Sequence, residues 1–196
     1  NLSIIHFSSD YVFDGQSSKP YSEGAGRNPL GIYGDSKLQG EVLLSKSSCK
    51  SVTIRTSWLF SPFGENFVKK IVRLARKKSK LYIINDQWGR PTYGIDLTRS
   101  ILKLISNKMI YVFPILHYAN QGSCNWKEFA EAIAYQLEYK TTIQGIPTSA
   151  HPALAKRPRY SILDTEEIEK ELNIEIPTWQ ESLKKCLQIL KNEGYF

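Results

Sequence analysis

Apolar and polar positions alternate along the chain in blocks that predict strands and helices in turn. Residues 2–7 are mostly apolar and are bounded by polar residues, which is typical of a buried parallel strand. Residues 51–58 are rich in β-branched side chains and predict a second strand, and residues 81–84 predict a third. A further strand is predicted over 111–118, where Pro114 favours an edge position or a break, because proline cannot donate a ladder hydrogen bond.

Helical periodicity separates these strands. The helix that begins near Tyr33 contains Gly40, which we expect to allow the close approach of another backbone. Asp96 stands where an N-cap would stand, at the start of a later helix. The positions predicted to face inward are Leu38, Val42 and Leu43, then Phe67, Ile71 and Leu74, then Leu97, Ile101, Leu104 and Ile105. Strands that alternate with helices in this way predict an α/β fold.

From about residue 120 the pattern becomes mostly helical. Residues 125–128 supply a helix start with an acid at the third helical position. Thr165 and Thr178 are predicted N-caps, and Thr178 forms a capping-box pattern with Glu181. Only residues 141–146 predict a strand in this region.

Composition indicates globular material. Hydrophobic residues make up 41% of the chain and aromatic residues 12%, which is enough for a sizeable core. No apolar run is long enough to cross a bilayer, so a membrane protein is not expected. The three cysteines are far apart, with no Cys-x-x-Cys and no histidine at ligand spacing. We therefore expect reduced thiols in the cytoplasm, and neither a disulfide framework nor a metal site.

The net charge of +7 is concentrated in one segment, residues 69–80. The cations there are Lys69, Lys70, Arg73, Arg76, Lys77, Lys78 and Lys80, with no acid among them. Because Phe67, Ile71 and Leu74 recur at helical spacing, the segment predicts an amphipathic helix with a solvated basic face. A nucleic-acid surface is disfavoured, although the basic field could attract an anionic nucleotide-linked substrate.

Candidate chemistry begins with Tyr33 and Lys37, which lie four residues apart at a predicted helix start. One helical turn separates them, so both side chains leave the same face. A nearby cation favours the phenolate and makes a tyrosine a usable general acid. The spacing alone also fits an ordinary pair on a solvated helix.

Polar side chains follow the first predicted strand directly, at Ser8, Ser9 and Asp10. In open α/β sheets, ligands bind beyond the carboxyl ends of the strands. These residues are therefore candidates for substrate contact, with ordinary turn or capping chemistry as the alternative.

Several longer motifs occur along the chain. They span residues 8–15 (Ser-Ser-Asp-Tyr-Val-Phe-Asp-Gly), 20–23, 29–41, 55–58, 66–68, 86–92 and 157–161. Together with the pair Tyr33 and Lys37, they resemble the extended short-chain dehydrogenase/reductase family, and within it the dTDP-4-dehydrorhamnose reductases. The resemblance covers essentially all 196 residues and is far more specific than the tyrosine–lysine spacing alone.

The resemblance implies an incomplete Rossmann-like doubly wound parallel sheet with a smaller, mostly helical C-terminal substrate lobe. Such a cofactor domain normally opens with a glycine-rich turn that holds the pyrophosphate, and no such glycine pattern occurs here. We expect this chain to be the C-terminal portion of a larger protein, in which about 90 to 100 residues precede it. We expect this portion to be inactive alone. Residues 1–119 would be part of the cofactor domain with interleaved substrate-lobe segments, and residues 120–196 mostly the substrate-binding lobe.

The chemistry implied by the resemblance is reduction of the C4 ketone of dTDP-4-dehydro-L-rhamnose by NADPH or NADH. Tyr33 would donate the proton, Lys37 would hold the nicotinamide ribose, and Ser9 would polarise the ketone oxygen. Ser8, Tyr33 and Lys37 would contact the cofactor. Arg157 or Arg90 would bind the diphosphate, although a surface salt bridge is favoured for Arg90. The substrate-binding residues would be Ser9, Asp10, Trp58 and Arg157.

Other functions within this superfamily are open. The regulatory beta subunit of methionine adenosyltransferase resembles these reductases, shares the 8–15 motif and acts by binding a partner. Residues 55–58 favour the sugar reductases over it. A dehydratase is disfavoured because the pair Ser9 and Asp10 lacks the expected Asp-Glu dyad. The expected partner is a nucleotide sugar, without nucleic acid or membrane, and a homodimer is left open.

Overall fold

The computed structural model describes residues 3–112, 114–150 and 155–196. The strands are β1 (Ser3–Ser9), β2 (Lys50–Thr56), β3 (Leu59–Phe60), β4 (Lys80–Ile84), β5 (Trp88–Gly89), β6 (Thr92–Tyr93), β7 (Ile115–Tyr118), β8 (Cys124–Asn125) and β9 (Thr142–Ile146). The helices are α1 (Ile32–Lys46), α2 (Phe67–Ala75), α3 (Gly94–Ser106), α4 (Trp126–Gln136), α5 (Glu166–Leu172) and α6 (Trp179–Asn192). Short 3₁₀ turns lie at Asp10–Val12, Met109–Tyr111 and Thr148–Ala150.

A parallel sheet organises the first part of the fold. Its described strands run in the order β1, β2, β7, and both pairings are parallel. The register places Ser9 beside Thr56, and Thr56 beside Tyr118, so these strands end together at one edge of the sheet. The predicted α/β class with parallel strands is therefore confirmed.

Strand β1 is less buried than predicted. Only its last residues, Ser8 and Ser9, are buried, while the side chains of Ile4 and Phe7 are 40% and 44% exposed. The reason is that β1 pairs only with β2 among the described strands. Leu2, with which the predicted strand began, lies outside the described residues.

The other two sheet strands are shorter than predicted. Strand β2 ends at Thr56 instead of residue 58, because Trp58 has a left-handed backbone with φ of +47°. Strand β7 covers only Ile115–Tyr118 of the predicted 111–118, since a 3₁₀ turn precedes it. The edge position predicted from Pro114 is confirmed within the described sheet, where β7 pairs only with β2.

Helix α1 matches its predicted inner face only in part, because Leu38 is partly buried against the cluster of Val12, Phe13, Tyr21 and Leu163. Its buried residues are Gly34 and Glu41, whereas Leu43 is 69% exposed and was wrongly predicted to face inward. The prediction for Gly40 is also wrong, because Gly40 faces the imidazole of His6 and not a backbone. The close backbone approach belongs instead to Gly34.

The remaining helices follow the predicted pattern with three exceptions. The capping box between Thr178 and Glu181 is present in α6, and a second, between Asn125 and Glu128, is present in α4. The predicted cap at Asp96 is wrong, because α3 already begins at Gly94 and the buried Asp96 carboxylate accepts hydrogen bonds within the core. The other two exceptions are one position on a helix face and one cap: Ile105 is 44% exposed, and Thr165 precedes α5 without a side-chain cap bond.

A second parallel pair and an apolar core join the C-terminal elements. Strands β4 and β9, both predicted, pair in parallel from Lys80 with Thr142 to Ile84 with Ile146. Helix α2 buries Val68, Ile71, Val72 and Ala75 in the largest apolar cluster, which α4 and α6 share. None of the described helices combines the length and apolarity that a membrane crossing requires.

Candidate active site

A cleft of about 530 Å³ opens at the carboxyl ends of β1 and β2. Six of the seven site residues predicted from the sequence line it, namely Ser8, Ser9, Asp10, Tyr33, Lys37 and Trp58. Its apolar wall comes from the start of α3, at Ile95 and Leu97. The sheet edge, α1 and α3 thus bring together residues as far apart in sequence as Ser8 and Leu97, which are 89 positions apart.

Tyr33 and Lys37 lie on one face of α1, as their spacing requires. The Lys37 Nζ is 5.9 Å from the centroid of the Tyr33 ring and donates a hydrogen bond of 3.2 Å to the Phe7 carbonyl oxygen on β1. The Tyr33 side chain is 54% exposed, and its ring meets the Tyr11 ring edge-on. The phenol is therefore accessible from the cleft, with an ammonium group close to it.

Gly34 explains why α1 can lie this close to the strand end. A Cβ at Gly34 would overlap the carbonyl oxygen of Tyr11 and would lie 2.9 Å from the Cβ of Pro29. Only glycine allows the helix to pack against this turn. The residue beside the candidate acid thus determines the distance between α1 and the residues that follow β1.

Ser9 and Asp10 form a compact polar group at the end of β1. The Ser9 hydroxyl donates to Asp10 Oδ1 at 2.9 Å and accepts from the backbone N–H of Tyr11. Burial raises the pKa of the Asp10 carboxyl to about 6, although the nearby hydroxyls of Ser161 and Ser9 act to lower it. Asp10 Oδ2 is buried without a hydrogen-bond partner of ordinary geometry among the described residues, so its hydrogen-bond capacity is unused.

Ser8 lines the cleft but uses its hydroxyl elsewhere. It is 4% exposed, and its Oγ donates to Glu41 Oε1 on α1 at 2.5 Å. Sequence reasoning did not select Glu41, because a glutamate on a helix is usually exposed.

Trp58 occupies the cleft in a constrained conformation. Its backbone is left-handed, with φ of +47°, which is unusual for a residue with a large side chain. Gly89 lies against the indole, since a Cβ there would be only 2.6 Å from Trp58 Cε2. The indole also stacks on Trp126, with centroids 3.5 Å apart and planes 8° from parallel.

Arg157 lies in a second pocket and not in the cleft. This pocket of about 380 Å³ is lined by Arg157, Lys156, Lys70, Gln87 and Trp126, among others. Because Trp126 stacks on Trp58, the two indoles connect the second pocket with the cleft. Sequence reasoning identified Trp126 only as part of a helix start, and no local signal showed that it would meet Trp58.

Arg90 lies in neither cavity. Its Nη1 donates to Thr165 Oγ1 at 3.2 Å, and burial lowers the pKa of its guanidinium. Within the part of the chain that the structure describes, no cluster of histidine, cysteine or acidic residues could hold a metal ion.

Comparison with known proteins places this geometry in a family. The family model described as the RmlD substrate binding domain matches residues 1–192. The dTDP-4-dehydrorhamnose reductase of Aggregatibacter actinomycetemcomitans is 41% identical over 194 residues, which cover 94% of this chain and 66% of that protein. The chain spans about two thirds of the length of the curated relatives it matches.

Two crystal structures of dTDP-4-dehydrorhamnose reductases share the fold. That from Clostridium acetobutylicum has a TM-score of 0.91 and 34% identity, covering 96% of this chain and 66% of the other. That from Bacillus anthracis, in complex with NADP, has a TM-score of 0.89 and 35% identity, covering 94% and 64%. The Rossmann-like class is confirmed by this similarity. The chain belongs to the RmlD substrate binding domain family.

Proposed function

We propose that the protein containing this chain reduces the C4 ketone of dTDP-4-dehydro-L-rhamnose to dTDP-L-rhamnose, using NADPH or NADH. One observation carries the proposal: a half-exposed phenol, an adjacent ammonium and a strand-end serine–aspartate pair line a single cleft. The names of the relatives support the same reaction. Since the chain spans about two thirds of those relatives, the reaction is assigned to the complete protein.

Tyr33 is the proposed proton donor. Reduction of a ketone creates an alkoxide, which must gain a proton as the C–O bond loses its double-bond character. The Lys37 ammonium, 5.9 Å from the Tyr33 ring, stabilises the phenolate that proton donation leaves behind. Both groups lie on one face of the same helix, so the distance between them is maintained during the reaction.

Ser9 and Asp10 are proposed to bind the sugar. The Ser9 hydroxyl can rotate from Asp10 Oδ1 and donate to the ketone oxygen, where negative charge develops. Asp10 Oδ2 would then accept from a neighbouring sugar hydroxyl, which satisfies its unused hydrogen-bond capacity. An edge of the Trp58 indole, which lines the cleft, would contact the sugar ring.

The second pocket is proposed to hold the nucleotide diphosphate end of the substrate. Arg157, Lys156 and Lys70 line it, and guanidinium and ammonium groups are suited to phosphate oxygens. Trp126 at its edge offers an aromatic surface for the base. One extended substrate can therefore reach from Arg157 to Tyr33 across the two stacked indoles.

The residues of the cleft fit a nicotinamide cofactor on its α1 side. Lys37 presents an ammonium to ribose hydroxyls, and the exposed ring of Phe7 offers an apolar surface next to it. When bound, the cofactor supplies a hydride to the ketone carbon. The proposal includes both NADH and NADPH, because no described residue of the cleft distinguishes them.

Further features of the complete protein are part of the proposal. The buried Cys124 and Cys186 are free thiols, which supports a reducing, cytoplasmic environment. The division into residues 1–119 and 120–196 is retained as a proposal, with the qualification that β4 and β9 pair across it. A homodimer stays a prediction.

The test is a reductase assay on the complete natural protein. It is supplied with dTDP-4-dehydro-L-rhamnose and either NADPH or NADH, and the loss of reduced-nicotinamide absorbance is followed. Formation of dTDP-L-rhamnose with consumption of one cofactor is the expected result. Absence of oxidation with both cofactors, together with tight binding to a methionine adenosyltransferase catalytic subunit, would support the regulatory alternative instead.

A further inference from the structure

Helix α1 is oriented by polar contacts to an unusual degree. Its only buried residues are Gly34 and Glu41, while Ile32 and Leu43 are 90% and 69% exposed. A helix on a sheet normally takes its orientation from a buried apolar stripe. The apolar burial of α1 is only partial, with Leu38 packed against the cluster of Val12, Phe13, Tyr21 and Leu163, so another contact contributes to how Tyr33 and Lys37 lie relative to β1.

Glu41 makes that contact. It lies four residues after Lys37 and eight after Tyr33, so the three side chains follow one face of α1. Glu41 Oε1 accepts from Ser8 Oγ at 2.5 Å. One turn earlier, Lys37 Nζ donates to the Phe7 carbonyl oxygen. Two successive turns of the helix are thus tied to two successive residues of β1, immediately before Ser9.

Arg55 fixes Glu41 in turn. From β2, its Nε and Nη2 donate to the two carboxylate oxygens at 2.9 and 2.8 Å, a bidentate arrangement. Arg55 is fully buried, and its Nη1 donates to the Glu23 carbonyl oxygen at 3.0 Å. Burial and the charge of Arg55 lower the pKa of His117 to about 3, so the neutral imidazole Nε2 accepts from Nη1 at 3.2 Å.

A buried ion pair of this kind is a poor source of stability. Desolvation of both charges offsets most of their attraction, and an apolar pair of similar volume is often as stable. Its geometry, however, is strict, because a bidentate pair allows one relative placement of the two side chains. Glu41 and Arg55 therefore join α1, β1 and β2 in a fixed register.

We propose that Glu41 and Arg55 are positioning residues of the reductase, which fix Tyr33 and Lys37 on α1 relative to Ser9 on β1. This inference rests on the proposed function. Glu41 is buried next to Ser8 and acts through α1, and Arg55 acts through Glu41. A displacement of about 1 Å between the proton donor and the ketone would lower the rate by roughly 100-fold, without removing any contact to the substrate.

The test compares Glu41→Gln, Arg55→Lys and Ser8→Ala in the complete natural protein. Arg55→Lys keeps the charge but removes the bidentate geometry. Ser8→Ala removes only one of the two links between α1 and β1, the Ser8–Glu41 hydrogen bond, and is the variant least able to prevent folding. The matched control is Glu169→Gln, which alters a carboxylate that accepts from Gln121 and the Ile176 N–H away from the cleft.

The measurements are kcat per folded molecule, KM for the nucleotide sugar, and the solvent deuterium isotope effect on kcat. Glu41→Gln and Arg55→Lys are expected to lower kcat by roughly 10- to 100-fold with little change in KM. Ser8→Ala is expected to lower kcat less, in the same direction. In all three the isotope effect rises above that of the wild type, because misplaced proton donation becomes rate-limiting, whereas the control leaves it unchanged.

Two results would overturn the inference while the wild type is active. One is a kcat per folded molecule that stays near the wild-type value in the variants that fold. The other is a lower kcat with an unchanged isotope effect, which indicates a smaller active fraction and a purely structural role. An inactive wild type would overturn the proposed function itself, so the two failures are distinguishable.

Discussion

Gly34 on α1 packs directly against the backbone carbonyl of Tyr11, in the turn that follows β1. A Cβ at this position would overlap the carbonyl oxygen, and neither backbone can move without separating Tyr33 from Ser9. The neighbouring Gly40 differs, because a Cβ there would lie 3.1 Å from the His6 Nε2, at the end of a side chain that can rotate. The two glycines of one helix therefore have different roles.

Gly34→Ala is expected to destabilise the protein, and Gly40→Ala is not. Alanine is favoured over glycine within a helix by about 1 kcal/mol, so an effect of the opposite sign at Gly34 must come from packing. A loss of roughly 2 to 4 kcal/mol is expected for Gly34→Ala, measured by urea unfolding of the complete protein. Equal stabilities of the two variants would contradict the close packing of α1 against Tyr11.

Tyr33→Phe is expected to abolish most of the activity without loss of stability. The phenol is 54% exposed, so removal of its oxygen leaves no buried partner unsatisfied. Loss of a general acid lowers kcat by roughly 10² to 10⁴. Tyr135→Phe is the matched control, since Tyr135 is 84% exposed on α4, away from the cleft. Full activity of Tyr33→Phe would exclude Tyr33 as the proton donor.

The chemistry that depends on local spacing could be predicted from the sequence. Tyr33 and Lys37 share a helix face because they lie one turn apart, and Ser9 and Asp10 lie at the sheet edge because they end an apolar run. Both inferences need only the geometry of one element. Helix and strand positions were predictable for the same reason, whereas the extent of β1 burial depended on which strands pair with it.

The contacts between distant elements could not be predicted from the sequence. Glu41 lies on a helix and would ordinarily be exposed, and its ion pair with Arg55 on β2 explains its burial. Arg157 was assigned to the same site as Trp58, yet it lines a separate pocket. The stack of Trp58 on Trp126, 68 residues later, depends on a left-handed backbone that no local pattern indicates.

The stability of the protein is expected to depend on pH through Asp10. Burial raises the pKa of this carboxyl to about 6 from an ordinary value of 3.8, so the folded state binds the proton more tightly than the unfolded state. Between these two pH values the folded state carries more protons, and the free energy of unfolding therefore falls as pH rises. The fall contributed by Asp10 is complete above about pH 6.

Asp10→Asn removes this contribution. The unfolding free energy of the variant minus that of the wild type should increase by about 3 kcal/mol from about pH 4 to pH 7, because the Asp10 pKa is shifted by about two units. Urea unfolding at a series of pH values measures it. Parallel curves for the two proteins would show that Asp10 has an ordinary pKa. The variant should also have a higher KM for the nucleotide sugar, because Asp10 is proposed to bind it.

Gly89→Ala is expected to disturb the nucleotide-sugar site through Trp58. The added Cβ would lie 2.6 Å from Trp58 Cε2, so the indole must shift and lose its stack on Trp126. Near-UV circular dichroism should lose the signal of the two stacked indoles, and KM for the nucleotide sugar should rise, by roughly tenfold for about 1.4 kcal/mol of lost contact. Gly24→Ala is the control, because a Cβ there meets nothing within 4 Å. An unchanged KM together with a lost near-UV signal would show that the stack serves packing, and that the substrate does not span the two indoles.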